Sequence, residues 1–292
     1  MSAPTAFAAA DLGASSGRVI LGTLADGRFH LEEVTRFVNG PTQLGGSIHW
    51  DAPALFGHIR EGMRVAQRRV GRLGSVGVDT WGVDYGRLNA AAELIELPFH
   101  YRDERTAGVP ERLFASLPAD QLYSRAGLQV MPFNTVFQLI ADTCDWTEVA
   151  RILLMPDLLA YWLSGREAAE VTIASTTGLL DVARRQWSPQ TCAHLEKVYG
   201  VPAARILPEL VEPGTILGDT LPGVLDEPVP VVAVGCHDTA SAVASIPATS
   251  SDFAFISSGT WSLVGLELPA PVLTEESRQE NFTNELGVDG TV

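Results

Sequence analysis

Apolar and polar positions alternate in short blocks along the first forty residues. Residues 7–11, 19–23 and 29–37 each carry enough apolar side chains for a strand, and the gaps between them are short. That spacing predicts a meander joined by tight turns. The period then changes. Leu55, Ile59, Met63, Ala66 and Val70 fall on one face of a helix over residues 51–70, with Asp51 and Pro53 at its start. Residues 75–80 return to a strand pattern, and a second run, 83–88, follows Trp81-Gly82. Residues 106–199 read as mainly helical, punctuated by Pro, Gly and Trp: an inserted layer with no chemistry legible in its pattern. A proline-rich passage then leads to a buried strand at 231–234, a helix over 237–246, and a last strand–turn–strand unit at 253–257 and 262–266. Strands alternating with helices predict an α/β protein.

Composition narrows the possible partners. The 292 residues suggest one or two domains at about 150 residues each, and 46% hydrophobic residues supply a sizeable core. Twenty Lys and Arg stand against 35 Asp and Glu, a net charge of −15. Such a field repels nucleic acid and anionic membrane surfaces, and neither is expected as a partner. Three cysteines without a C-x-x-C pair argue against a disulfide framework or a structural zinc site. No stretch approaches the roughly 20 apolar residues of a membrane span, and no basic leader is present, so the expected compartment is the cytoplasm.

Three stretches concentrate the residues that could carry chemistry. In ADLGASSGRVILG, 10–22, a strand stops at Asp11 for small side chains and resumes at Val19. Two readings stand: an ordinary hairpin turn, or a turn whose backbone N–H groups approach a phosphate. ISSGTWSLVG, 256–265, has the same layout, which suits two turns gripping a nucleotide from both sides. In VPVVAVGCHDTASAV, 229–243, a strand delivers Cys236, His237 and Asp238 to a helix start. There Asp238 is either an ionised proton acceptor or an N-cap. In VGVDTWGVDYG, 76–86, Asp79, Trp81, Gly82 and Asp84 offer an aromatic face beside acids, as a polyhydroxylated ligand needs, or simply a turn with a core Trp. Arg102, Asp103, Glu104 and Arg105 read as a solvated charge cluster. The six His show no metal-ligand spacing, and neither G-x-x-x-x-G-K-[ST] nor G-x-G-x-x-G occurs.

Taken in order, DLGASSGR, DTWGVD, YRDERT, MPFNT, LLMPDLLAYWLSG, VGCHDTASAV and ISSGTWSLVG resemble the rhamnulokinase group of the FGGY carbohydrate kinases, within the sugar kinase–Hsp70–actin superfamily. The resemblance runs from about residue 7 to the end of the chain. It implies ribonuclease H-like (actin-like ATPase) domains, each a mixed sheet flanked by helices. Residues 1–246 would be the N-terminal, sugar-binding domain and 247–292 the beginning of the C-terminal, ATP-binding domain. It further implies ATP and Mg²⁺ as cofactors and L-rhamnulose as the sugar phosphorylated at its 1-hydroxyl. Fuculose, xylulose or glycerol is the alternative substrate, and a non-catalytic sugar-binding module the alternative function. In that reading Ala14, Ser15, Ser16, Gly17 and Arg18 form the first phosphate turn, Gly259 and Thr260 belong to the second, and Asp11 helps hold Mg²⁺. Gly82, His237, Asp238 and Thr239 contact the sugar, with Asp238 as the base. The chain closes at ELGVDGTV, ahead of the adenosine-binding elements the resemblance leads one to expect, so the expectation is a fragment without meaningful turnover.

Overall fold

The computed structural model describes residues 5–259 and 262–292. Its centre is a six-stranded mixed sheet built from β1 (Thr5–Leu12), β2 (Ser16–Ala25), β3 (Arg28–Val38), β4 (Ser75–Thr80), β5 (Ile216–Asp219) and β6 (Pro230–Val232). The strands lie in the order β5-β6-β4-β1-β2-β3. The first three form the antiparallel meander that the alternation predicts. β4 and β6 then add parallel to β1 and to each other, and β5 closes the far edge antiparallel. Parallel addition carries the ends of β1, β4 and β6 to the same edge of the sheet, where open α/β sheets bind ligands.

Burial on β1 follows the period of two: Ala6, Ala8, Ala10 and Leu12 face the core. Their small size admits α1 (Ala52–Val70), whose Leu55, Ile59, Met63 and Ala66 are buried in the same cluster. Contact is close enough that a Cβ on Gly62 would stand 2.6 Å from Val19 Cγ2. Asp51 caps the helix by accepting from Ala54 N, Pro53 sits in its first turn, and Gly71 ends it at φ 76°. Val70 breaks the expected stripe: at 37% exposure it has passed beyond the sheet.

The inserted layer is more broken than its pattern suggested. Short helices, of which Pro189–Tyr199 is among the longest, alternate with two-stranded pairs and enclose a second core around Phe137, Leu139, Leu154 and Leu179. The run predicted at 83–88 is a strand only over Tyr85–Leu88, and it pairs with Arg151–Leu154 rather than with β4. Of the Arg102–Arg105 cluster, Arg102 and Glu104 are exposed as expected, whereas Asp103 and Arg105 are half-buried and structural. Arg105 lies over the Phe99 ring at 3.9 Å and donates to Gln138 Oε1, while Asp103 accepts from Ile48 N.

Beyond β6 come α2 (Asp238–Ala244) and an antiparallel ribbon of Ala254–Ser258 with Ser262–Leu266. The chain then returns to the second core. Asn284 donates to Gly127 O and Val272 O, Leu286 N donates to Ser175 Oγ, and Leu286 is 1% exposed.

Candidate functional site

At the end of β1 the chain turns through Gly13, Ala14 and Ser15 before β2 begins at Ser16. Gly13 N donates to Ser16 O, and Asn39 braces the turn by donating from its side chain to Gly13 O and from its backbone to Ser15 O. Ala14 N and Ser15 N donate to nothing among the described residues. Two adjacent free N–H groups on a braced turn can receive an anion. The structure thereby splits the expected phosphate turn. Ala14 and Ser15 are in the turn, whereas Ser16, Gly17 and Arg18 belong to β2. A Cβ on Gly17 would stand 2.3 Å from Phe37 on the neighbouring strand, so this glycine is required by the sheet. Arg18 reaches back across the pair to Asp11, with Nε 2.9 Å and Nη2 2.5 Å from Oδ2.

Past the end of β4 the chain turns sharply at Gly82. Asp84 N donates to Gly82 O, and Val83 adopts φ 71°, a left-handed conformation that a β-branched residue takes only under constraint. The constraint is visible: Val83 N donates to Thr176 Oγ1, and Thr135 Oγ1 and Gln138 Nε2 both donate to Val83 O. Gly82 itself leaves no room, since a Cβ would meet Thr176 at 2.9–3.0 Å. Asp84, read in sequence as a possible ligand acid, anchors the turn instead. Its carboxylate accepts from Trp50, Trp81, Tyr101 N and Gln138. Burial, opposed by those bonds, lifts its pKa to about 6. Trp50 stacks between Trp81 and His100, and Tyr101 extends the aromatic wall. Tyr101 Oη is buried without a well-formed hydrogen bond.

The loop before α2 is suspended from a buried acid. Glu170 Oε2 accepts from Cys236 N at 2.9 Å and from Thr172 Oγ1 at 2.5 Å, and Thr172 Oγ1 in turn accepts from His237 N. Cys236 O accepts from Thr80 N, tying the same loop to the end of β4. His237, not Asp238, is the N-cap, and Asp238 is the first helical residue. Capping therefore does not account for Asp238, whose Oδ1 accepts from Thr239 N beside it. Burial, ahead of the attraction of His237, raises the Asp238 pKa above the ordinary carboxylate value. The expected ionised acid thus has a strengthened affinity for a proton. His237 lies between two acids: Nε2 is 3.4 Å from Asp238 Oδ1, and Nδ1 is 3.1 Å from Glu285 Oε2.

These turns converge on one cavity of about 560 Å³. Of the residues expected from sequence, Ala14, Ser15 and Ser16 line it from one side, Gly82 from another, and His237, Asp238 and Thr239 from a third. Gly259 reaches it from the ribbon, and Thr260 lies outside the described residues. Asp11, Gly17 and Arg18 are set back from its wall. Sequence reasoning missed Tyr101, Gln129, Asn134, Thr176 and Glu285, which the inserted layer and the returning tail bring to the same wall. Two of them stood within quoted motifs, Tyr101 in YRDERT and Asn134 in MPFNT.

Asp11 and Asp79 are register partners on β1 and β4, and both face Asp238 electrostatically. Burial first, then the like charges of Asp11 and Asp238, pushes Asp79 well above the ordinary carboxylate range. Among the described residues no three His, Cys, Asp or Glu gather tightly enough to cage a metal. Asp11 offers only oxygen donors and stands back from the cavity wall, paired with Arg18, a setting that suits an Mg²⁺ keeping its waters rather than a dehydrated one. Asp11 would hold such an ion through water.

No helix among the described residues is long and apolar enough to cross a membrane. The family model for the N-terminal domain of the FGGY family of carbohydrate kinases matches residues 7–244. The chain is 42% identical over 300 residues to a rhamnulokinase of Bacteroides thetaiotaomicron, covering 98% of this chain and 60% of that protein. It is 38% identical over 292 residues to a rhamnulokinase of Enterococcus faecalis, covering 98% and 58% respectively. It thus spans about 60% of the length of the curated relatives it matches. Among solved structures, xylulose kinase from Rhodospirillum rubrum superposes with a TM-score of 0.81 at 16% identity, covering 98% of this chain and 59% of that one. A carbohydrate kinase from Novosphingobium aromaticivorans gives 0.79 at 20% identity, covering 99% and 62%. The α/β fold, a mixed sheet flanked by helices, is therefore that of the sugar kinases, and with the family model matching most of its length, this chain belongs to the FGGY family of carbohydrate kinases.

Proposed function

We propose that this chain is the sugar-binding part of an ATP-dependent kinase that phosphorylates L-rhamnulose at its 1-hydroxyl, acting in the cytoplasm. Residues 1–246 form its sugar domain, and 247–292 begin its nucleotide domain. One observation carries the reading: a half-buried acid of raised proton affinity, Asp238, shares a cavity with a turn whose Ala14 and Ser15 N–H groups have no partner among the described residues. A proton acceptor beside an anion receptor is what transfer of a phosphoryl group to a hydroxyl requires. The Trp81 and Tyr101 wall and the Asn134 side suit a polyhydroxylated ligand with an apolar face. The rhamnulokinase names of the relatives favour rhamnulose over fuculose, xylulose or glycerol.

In this mechanism Gly82 lets the sugar approach the backbone of the strained turn, and His237 and Thr239 orient its hydroxyls. An Asp238 carboxylate oxygen takes the proton of the 1-hydroxyl as the hydroxyl oxygen attacks the γ-phosphorus of ATP, the bond from that phosphorus to the β,γ-bridging oxygen breaks, and ADP leaves. The turn at Ala14 and Ser15, with Ser16 beside it, and the ribbon at Gly259 and Thr260 receive phosphate oxygens, while Gly17 and Arg18 hold the strand that presents the turn. Mg²⁺, when bound, neutralises phosphate charge. General-base assistance of this kind contributes about 10²–10⁴-fold.

Calorimetry tests the binding half: the chain should bind L-rhamnulose more tightly than xylulose, fuculose or glycerol, and a preference for any of these removes the rhamnulose assignment. An ADP-release assay with L-rhamnulose and Mg-ATP tests the chemical half. In a full-length enzyme carrying this sequence, Asp238→Asn should lower kcat about 100-fold or more with folding intact. Unchanged turnover would refute the base. Sugar binding without nucleotide binding or turnover would leave a binding module.

A further inference from the structure

Glu285 comes from the returning tail, 47 residues beyond Asp238 by their numbers in the chain, and its location is firmly built. Asn284 on one side makes three hydrogen bonds to Tyr123 Oη, Gly127 O and Val272 O. Leu286 on the other is buried in the second core, with its N–H on Ser175 Oγ. The carboxylate of a side chain so fixed at both neighbours accepts from Thr283 Oγ1 through one oxygen and places the other 3.1 Å from His237 Nδ1, an ion-pair contact rather than an aligned hydrogen bond. The opposite ring nitrogen faces Asp238 Oδ1, and the ring's own backbone is fixed by Thr172. The two acids therefore flank the imidazole, and all three side chains line the cavity wall.

We propose that Glu285 is a positioning residue: through Nδ1 it holds the His237 ring charged and turned so that Nε2 faces Asp238. The proposal deepens the kinase reading and rests on it for its functional meaning. Glu285 does not take the proton in this scheme; it governs the group beside the one that does. A carboxylate on one ring nitrogen selects the orientation and the protonation of the other. Four titratable groups surround the ring: Glu285 on the tail, Asp238 on α2, Glu170 behind the loop and Asp79 on β4. Burial alone would drive the ring towards its neutral form, but Glu285 first and Asp238 next outweigh it and lift the pKa to about 9. The stabilisation from this pairing is fully present below the ordinary His value of about 6.5 and is lost as pH rises through about 9.

The test reads the ring directly, by ¹⁵N resonance of labelled histidine in the full chain without sugar or nucleotide. In the wild type both His237 nitrogens should be protonated at pH 7.5; a neutral ring there overturns the proposal and needs no variant. Glu285→Gln, which keeps shape and removes charge, should lower the titration midpoint by about one pH unit or more, a tenfold loss of proton affinity. Glu285→Asp should restore most of it, and an unchanged midpoint in Glu285→Gln also overturns the proposal. L-rhamnulose affinity should then weaken as pH rises from 6 to 8 in Glu285→Gln and stay level in the wild type. If the wild-type chain binds no L-rhamnulose while its ring titrates as expected, the sugar reading fails and the Glu285–His237 pairing stands.

Discussion

The hairpin of β1 and β2 and the ribbon at 254–266 use the same parts in different surroundings. Each is an antiparallel pair, and the sequence between its strands includes glycine. Each carries a glycine that makes room for a cross-strand phenylalanine: Gly17 under Phe37, and Gly265 under Phe255, where a Cβ would stand 2.4 Å from the ring. The first pair sits inside a six-stranded sheet with α1 over one face, and Val19 is wholly buried. In the ribbon Ile256 is 71% and Val264 70% exposed. Strand pattern and glycine placement thus suffice for a local hairpin. What makes a hairpin part of a core is the layer laid against it.

Removing that layer's contact should give the largest effect. Met63 of α1 is fully buried against the sheet, and Met63→Ala should cost about 2–5 kcal/mol in urea unfolding. A loss under about 1 kcal/mol would mean that α1 contributes little to the first hairpin's burial. Gly17→Val comes next, at about 1–3 kcal/mol, because the new side chain must displace Phe37. Sugar and nucleotide binding should then fall together. Selective loss of nucleotide binding would instead return Gly17 to the phosphate turn. Smallest is Val264→Thr on the ribbon, which should alter stability by no more than about 0.5 kcal/mol while reducing self-association in sedimentation. A loss comparable with Met63→Ala would show that the ribbon's exposed face is covered in solution.

The same contrast explains what the sequence could and could not reveal. The alternation in β1 and the stripe Leu55, Ile59, Met63, Ala66 are local periodicities, and the structure repeats them almost residue for residue. Asp238 and Gly82 were legible because each follows a strand abruptly, among residues of unusual type. Tyr101, Asn134, Thr176 and Glu285 stand in stretches whose period says nothing of a ligand. They reach the cavity because cores and hydrogen bonds elsewhere fold them there, and such placement leaves no trace in spacing. Arg105 departs from the solvated reading for the same reason: Gln138, to which it donates, lies 33 residues away and is its neighbour only in space.

The returning tail also has a kinetic meaning. Leu286 meets a partner 111 residues earlier, and Asn284 meets one 161 residues earlier. Contacts of such separation carry a large loop-closure cost and are favoured late, after local hairpins and helices have formed. On a ribosome the two strands around Asp11 emerge well before the carboxylate that faces His237. Until residues 284–286 have emerged, then, the chain carries a sheet whose binding wall is open on one side. The site is finished only when the tail docks, so the order of folding separates the making of the scaffold from the making of the pocket.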